Sequence, residues 1–252
     1  MFSLQLSIPS LEALDWCLLA AAAAMVGFSK TALPGGSTLS VALFALVLPA
    51  RESTGALLPL LMIGDIVAVW TYRRDADWQA LLRLIPAVAA GVLIGVVALI
   101  WLDDRSIRHV IGTVLLVLIG VTIVQRQYPR LSLARGIGLR IGYGGLSGFT
   151  TMVANAGGPV MSLYLLTANF SVRSFLGTAA WFFALVNVAK LPFSIGLGLI
   201  SSPGLLIDLA LAPAVILGGI AGRIVANRLS LGVFQYTVMV MTALCALFLL
   251  VV

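Results

Sequence analysis

The stretch GFSKTALPGGS at 27–37 recurs, one residue longer, as GFTTMVANAGGP at 148–159. Each copy breaks an apolar run with a Pro/Gly or Asn/Gly cluster and then lets a second apolar run begin, the mark of a helix interrupted in mid-course. The correspondence extends outward on both sides. At an offset of 122, Arg51 matches Arg173, Gly55 matches Gly177 and Asp65 matches Asn187, and at an offset of 127 PAVAAGVLIG (86–95) lies over PAVILGGIAG (213–222). One such match arises by chance, but four in the same order point to an internal duplication. The expected division is a first transmembrane repeat at 1–128 and a second at 129–252.

Composition sets the medium in which these copies fold. Of 252 residues, 61% are hydrophobic and 10% charged, against roughly 45–50% and about 25% in soluble domains. That excludes a soluble enzyme. A mean hydropathy of +1.13 also excludes a disordered chain, a collagen-like repeat and a small disulfide scaffold. The apolar segments run at about 11–28, 37–49, 53–71, 78–102, 107–125, 137–154, 158–168, 174–191, 205–229 and 231–252. The second and seventh are short for a hydrocarbon core about 30 Å thick. Helix is the only state that pairs every backbone group in lipid. The expected fold is therefore all-α: a polytopic membrane protein of two inverted-topology repeats, with about 8–10 helical segments that are broken or re-entrant at the glycine-rich motifs.

The net charge of +6 sits in short loops, where it reports topology and not nucleic-acid binding. With the connection QRQYPRLSLARG (125–136) placed in the cytoplasm and the copies inverted, Arg73, Arg74, Arg83, Arg126, Arg130, Arg135, Arg140, Arg173, Arg223 and Arg228 fall inside. Arg51, Arg105, Arg108 and Lys190 fall towards the outside, with Glu12, Asp15, Glu52, Asp103, Asp104 and Asp208. Parallel copies give a weaker bias of eight basic residues against six, so inversion is preferred on the positive-inside rule. A multi-pass protein of bacterial inner-membrane type, with both termini outside, is expected. MFSLQLSIPS (1–10) has no basic n-region and no small-residue cleavage site, so the first helix is expected to remain in the mature protein. Cys17 and Cys245 lie in apolar segments without a second ligand at metal spacing; no metal, disulfide or cofactor is expected.

Both interruptions lead into a new helix. A helix start exposes unpaired N–H groups and about half a positive charge, and glycine lets a ligand approach the backbone. Two starts from inverted copies would face each other across the midplane, as in many secondary carriers, and their natural occupant is a small anion. The candidate binding residues are Ser29, Lys30, Thr31, Gly35, Gly36, Ser37 and Thr38 in the first copy, with Thr150, Thr151, Asn155, Gly157 and Gly158 in the second. Ser37 or Thr38 is expected as the helix N-cap, and Pro159 suits a first helical turn. The competing reading of these glycines is close helix packing, as expected for Gly91/Gly95 and Gly218/Gly222.

Asp65 lies in mid-run, where a carboxylate costs about 2.5–3.5 kcal/mol on insertion scales. It is expected to line the pathway and to carry a coupling proton, or else to be a hydrogen-bonded structural residue, with Asn187 as its neutral counterpart and Lys190 one turn further on. Arg51 and Arg173 would attract an anion at each mouth or anchor the helices at the interface.

Together these features resemble the TauE/SafE sulfite exporter-like family of membrane transporters, over about 14–250. The resemblance is carried by GFSKTALPGGS, RESTGALLPLLMIGD, GLSGFTTMVANAGGPVMSLYL and VRSFLGTAAWFFALVNVAKLP. It implies a multi-pass carrier for a small anion, often a sulfur oxyanion or organosulfonate such as sulfite or sulfoacetate. The first break departs from the family pattern, since Pro34 precedes its glycines and no proline follows them. The expected activity is alternating-access transport of such an anion. Proton or sodium coupling and homo-oligomerisation are both compatible with it, and the lipid bilayer is the other partner.

A passive anion channel is the alternative, because the same helix starts can line a pore. GLSG (145–148) matches an intramembrane serine protease tetrapeptide, but the chain's one histidine, His109, is placed at a helix end on the outer side, away from any role as base. The glycines at 142–148 follow no strand and form no dinucleotide loop. Asn169 heads a glycosylation triplet that the topology puts on the cytoplasmic side.

Overall fold

A computed structural model of the protein describes residues 11–34, 36–48, 50–101, 113, 116–117, 137–167 and 170–251. These residues hold nine helices and no strand: α1 (Ala13–Ala32), α2 (Ser37–Val47), α3 (Ala50–Tyr72), α4 (Trp78–Trp101), α5 (Ile137–Ala154), α6 (Gly157–Thr167), α7 (Val172–Gly196), α8 (Ser202–Ala226) and α9 (Leu231–Val251). The expected segment at 107–125 falls almost wholly outside the described residues, as do His109, Asn169 and the charged residues at 103–108 and 126–135. Five helices are long and apolar enough to cross a bilayer. The short α2 and α6 span 11 residues each, about 16 Å at 1.5 Å per residue, roughly half the hydrocarbon thickness.

Two boundaries differ from expectation. α1 continues through Ser29, Lys30 and Thr31 to Ala32, so these residues form its last turns and not the break itself. α7 passes through Pro192 to Gly196, and Pro59, Pro86 and Pro213 likewise lie inside helices. In lipid, neighbouring helices pair the backbone group that a proline frees.

The tightest seams join the halves crosswise. α1 packs on α8, and α5 packs on α4. A Cβ added to Gly27 would fall on the Val215 carbonyl, and one added to Gly148 on the Val88 carbonyl. Gly218 faces Ala24 as Gly91 faces Gly145, and Gly222 faces Phe28 and Thr31 as Gly95 faces Phe149 and Met152. The contacts thus occur in pairs related by the offsets of 121 and 127 that align the sequences. Lipid tails are as apolar as leucine, so helices associate in a membrane through close backbone approach, which these glycines permit. Bulky side chains such as Leu93, Trp101 and Leu209 point outward.

α8 also carries a buried acidic residue. Ser201 caps it by accepting the Gly204 N–H at 3.2 Å, which places Asp208 in its second turn. There it shares the inward face with Leu211, Val215 and Gly218 and is 3% exposed. Neither carboxylate oxygen has a hydrogen-bond partner among the described residues.

Two stability measurements follow from this packing. Gly27→Ala and Gly148→Ala each force a methyl group onto a backbone carbonyl and should destabilise by about 1–3 kcal/mol, whereas Gly142→Ala, with open space around it, should be neutral or slightly stabilising. Melting curves in detergent that rank the three alike would refute the seam. Asp208→Leu removes an unpaired buried carboxylate and should raise the melting temperature, by the equivalent of about 1–3 kcal/mol.

Candidate functional site

The first break turns on one side chain. The Ser29 hydroxyl accepts the Ser37 N–H at 2.8 Å and donates to the Leu33 carbonyl at 3.1 Å. It therefore ties the end of α1 to the start of α2. Gly36, and not Ser37 or Thr38, occupies the N-cap position, and the oxygen that accepts the Ser37 N–H comes from eight residues upstream. The Thr38 side chain and Gly35 lie outside the described residues.

The second break turns on the residue that the first copy lacks. Asn155 has a φ of 51°, the left-handed conformation that asparagine tolerates better than most side chains. Its N–H returns to the Thr151 carbonyl and that of Ala156 to the Thr150 carbonyl, both at 3.1 Å. α6 then starts at Gly157, with Pro159 in its first turn. Ser162 of α6 donates to the Pro34 carbonyl at 2.5 Å, which joins the two breaks directly.

Around this junction the chain leaves a pocket. Ser29, Lys30, Pro34 and Ser37 line it from the first break, Thr151, Asn155 and Gly158 from the second, with Leu61 of α3 and Phe183 and Asn187 of α7. Lys30 Nζ lies 2.6 Å from Asp65 Oδ1 and 4.4 Å from the centroid of the Phe183 ring. Asp65 Oδ2 accepts from Asn187 Nδ2 at 2.6 Å, so the two matched positions of the duplication touch each other. Lys190 donates to the Thr151 carbonyl at 2.6 Å and to Asn155 Oδ1 at 2.7 Å. It thereby caps the negative end of α5.

All these groups are buried: Lys30 is 6% exposed, Asp65 2%, Asn187 1% and Lys190 1%. Lys190, in the last third of α7, is thus held at the end of α5 by its bonds to Thr151 and Asn155. Counting formal charges, two lysines against one aspartate leave an excess of one positive charge at the pocket.

Not every expected residue reaches the pocket. The Thr31 hydroxyl donates to the Gly219 carbonyl at 2.8 Å, inside the α1–α8 seam, and Thr150 returns its hydroxyl to the Leu146 carbonyl of its own helix at 2.8 Å. Gly157 offers its carbonyl to Ser147 at 3.3 Å, which also accounts for the hydroxyl of the GLSG tetrapeptide. Gly36 is buried beside the pocket without lining it. Arg173 is exposed near the start of α7, and the Arg51 side chain lies outside the described residues. Sequence reasoning missed Phe183, Leu61 and Ser162. No charge or glycine marks them; only their approach in space does.

Comparison with known proteins agrees with this architecture. The family described as Sulfite exporter TauE/SafE matches residues 19–249, which takes in both breaks, Asp65, Asn187, Lys190 and both glycine seams. No curated protein and no solved structure matches the chain. The chain belongs to the TauE/SafE sulfite exporter family, a family of membrane transporters of sulfur compounds.

Proposed function

We propose that the protein is a carrier for a small sulfur-containing anion, sulfite or an organosulfonate, and that the pocket between the two breaks holds it. The observation that carries this reading is the composition of the buried cluster: two lysines, Lys30 and Lys190, against one aspartate, Asp65, an excess of one positive formal charge. An anion completes that balance in a medium where an unpaired charge costs several kcal/mol, on the order of magnitude found for buried ion pairs. The Lys30 ammonium, the Ser37 hydroxyl and the first turn of α6 at Gly158 supply donors, and Phe183 closes the apolar side.

The paired seams support two copies, 1–128 and 129–252, and the distribution of basic residues supports their opposite orientation with the central connection cytoplasmic. Burial of the whole lining supports alternating access in preference to an open pore. In this mechanism the halves rock about the crosswise seams and expose the pocket to each side in turn. Asp65 competes with the anion for Lys30. A proton taken up by Asp65 releases Lys30 to the anion, so that proton and anion binding reinforce each other.

Three measurements test this. Lys190→Met removes the excess charge; at an effective dielectric near 20, a unit charge about 8 Å from an anion is worth about 2 kcal/mol, so sulfite binding should weaken by about tenfold or more. Unchanged affinity would remove the electrostatic basis of the site. Lys30→Met leaves Asp65 uncompensated and should cost about 3–5 kcal/mol of stability, while Lys30→Met with Asp65→Asn should recover the melting temperature without recovering sulfite affinity. In proteoliposomes, sulfite uptake should saturate and show counterflow, and Asp65→Asn should flatten its pH dependence. Wild-type pH dependence in that variant would eliminate Asp65 as the proton carrier, and flux linear in concentration would favour a channel.

A further inference from the structure

The pocket contains an acceptor as well as donors. Asn187 is 1% exposed and lines the pocket. Its amide orientation is set by Asp65, since a carboxylate only accepts and the atom 2.6 Å from Oδ2 must therefore be the NH2 group. The opposite edge, Asn187 Oδ1, is buried and has no hydrogen-bond partner among the described residues. Most buried side-chain polar atoms in folded proteins are paired, so an orphaned acceptor at a ligand pocket signals a missing donor.

The surrounding groups do not supply one. Lys30 is drawn to Asp65, Lys190 is held by Thr151 and Asn155, and the Ser29 hydroxyl donates to Leu33. We propose that the bound anion carries its own hydrogen-bond donor: a singly charged tetrahedral or pyramidal oxyanion bearing an O–H or N–H, whose negative oxygens face Lys30 and Ser37 while its donor meets Asn187 Oδ1. A single negative charge matches the single excess positive charge. This inference rests on the reading of the pocket as an anion site and narrows its ligand. Fully deprotonated or methyl-capped anions leave Asn187 Oδ1 unpaired and are discriminated against, because a site built to pair a polar group rejects the analogue lacking it.

Sulfamate and methanesulfonate form a suitable pair of probes. Both are monoanions of nearly the same shape, one ending in NH2 and the other in CH3. Calorimetric titration of the purified full chain in detergent should show sulfamate binding about tenfold tighter or more, with a larger thermal shift. Asn187→Val should reduce that preference to about twofold or less while both anions still bind. If that variant does not fold, the wild-type comparison alone decides. Equal affinities for the two probes, or binding of sulfite with neither probe, overturn the donor requirement and leave the anion site standing. Failure of sulfite and of both probes to bind overturns the site itself and this inference with it.

Discussion

Charge buried at the centre of a lipid-facing bundle must find partners, and the way it does so organises this protein. Lys30 at the end of α1, Asp65 in the middle of α3, and Asn187 and Lys190 on α7 lie on three helices from both ends of the chain. The 2.6 Å contacts from Lys30 to Asp65, from Asn187 to Asp65 and from Lys190 to Thr151 hold those helices in one register. Removing Lys30 or Asp65 leaves its partner's charge uncompensated in a medium without water to repair the loss. The network is thus a registration device as well as the electrostatic lining of a pocket.

That network needs helices close enough to carry it, and the glycine seams bring them there. Gly27 against Val215 and Gly148 against Val88 set the backbones in contact on either side of the pocket. With α1 and α5 so anchored, their C-terminal ends bring Ser29 and Lys30, and Thr151 and Asn155, to the same place. The breaks then lead into α2 and α6, helices of 11 residues each. The glycines therefore fall into two groups. Gly27, Gly91, Gly148 and Gly218 pack helices, whereas Gly158 borders the pocket.

The two matched stretches are alike in helix order and unlike in chemistry. Lys30 corresponds to Thr151 and Asp65 to Asn187, so neither member of the Lys30–Asp65 pair has a charged counterpart in the second copy. Lys190 stands opposite Ala68 at the offset of 122. The second copy also inserts Asn155, whose left-handed backbone shapes the break and whose amide oxygen holds Lys190. Two like frames that carry unlike charges give a pocket with two chemically distinct sides, suited to a ligand whose ends differ.

Much of this was legible in the sequence. Hydropathy determined an all-helical membrane protein, because apolar runs of that length have no other way to pair their backbone groups. The repeated breaks determined where helices stop and which residues to watch. Of the residues singled out there, Ser29, Lys30, Ser37, Thr151, Asn155, Gly158 and Asn187 line the pocket, while Asp65 and Lys190 bind those that do. Periodicity could not separate Thr31 and Thr150 from their neighbours, since one residue along a helix turns a side chain by about 100° and trades a pocket for a seam. Nor could it show that Ser29 caps a helix eight residues ahead, that Asp208 faces inward, or that Phe183 covers an ammonium group. Local pattern determined the elements and their interruptions. Only the crossing of distant helices decided which polar groups meet, because the partners of a buried charge are chosen by proximity in space.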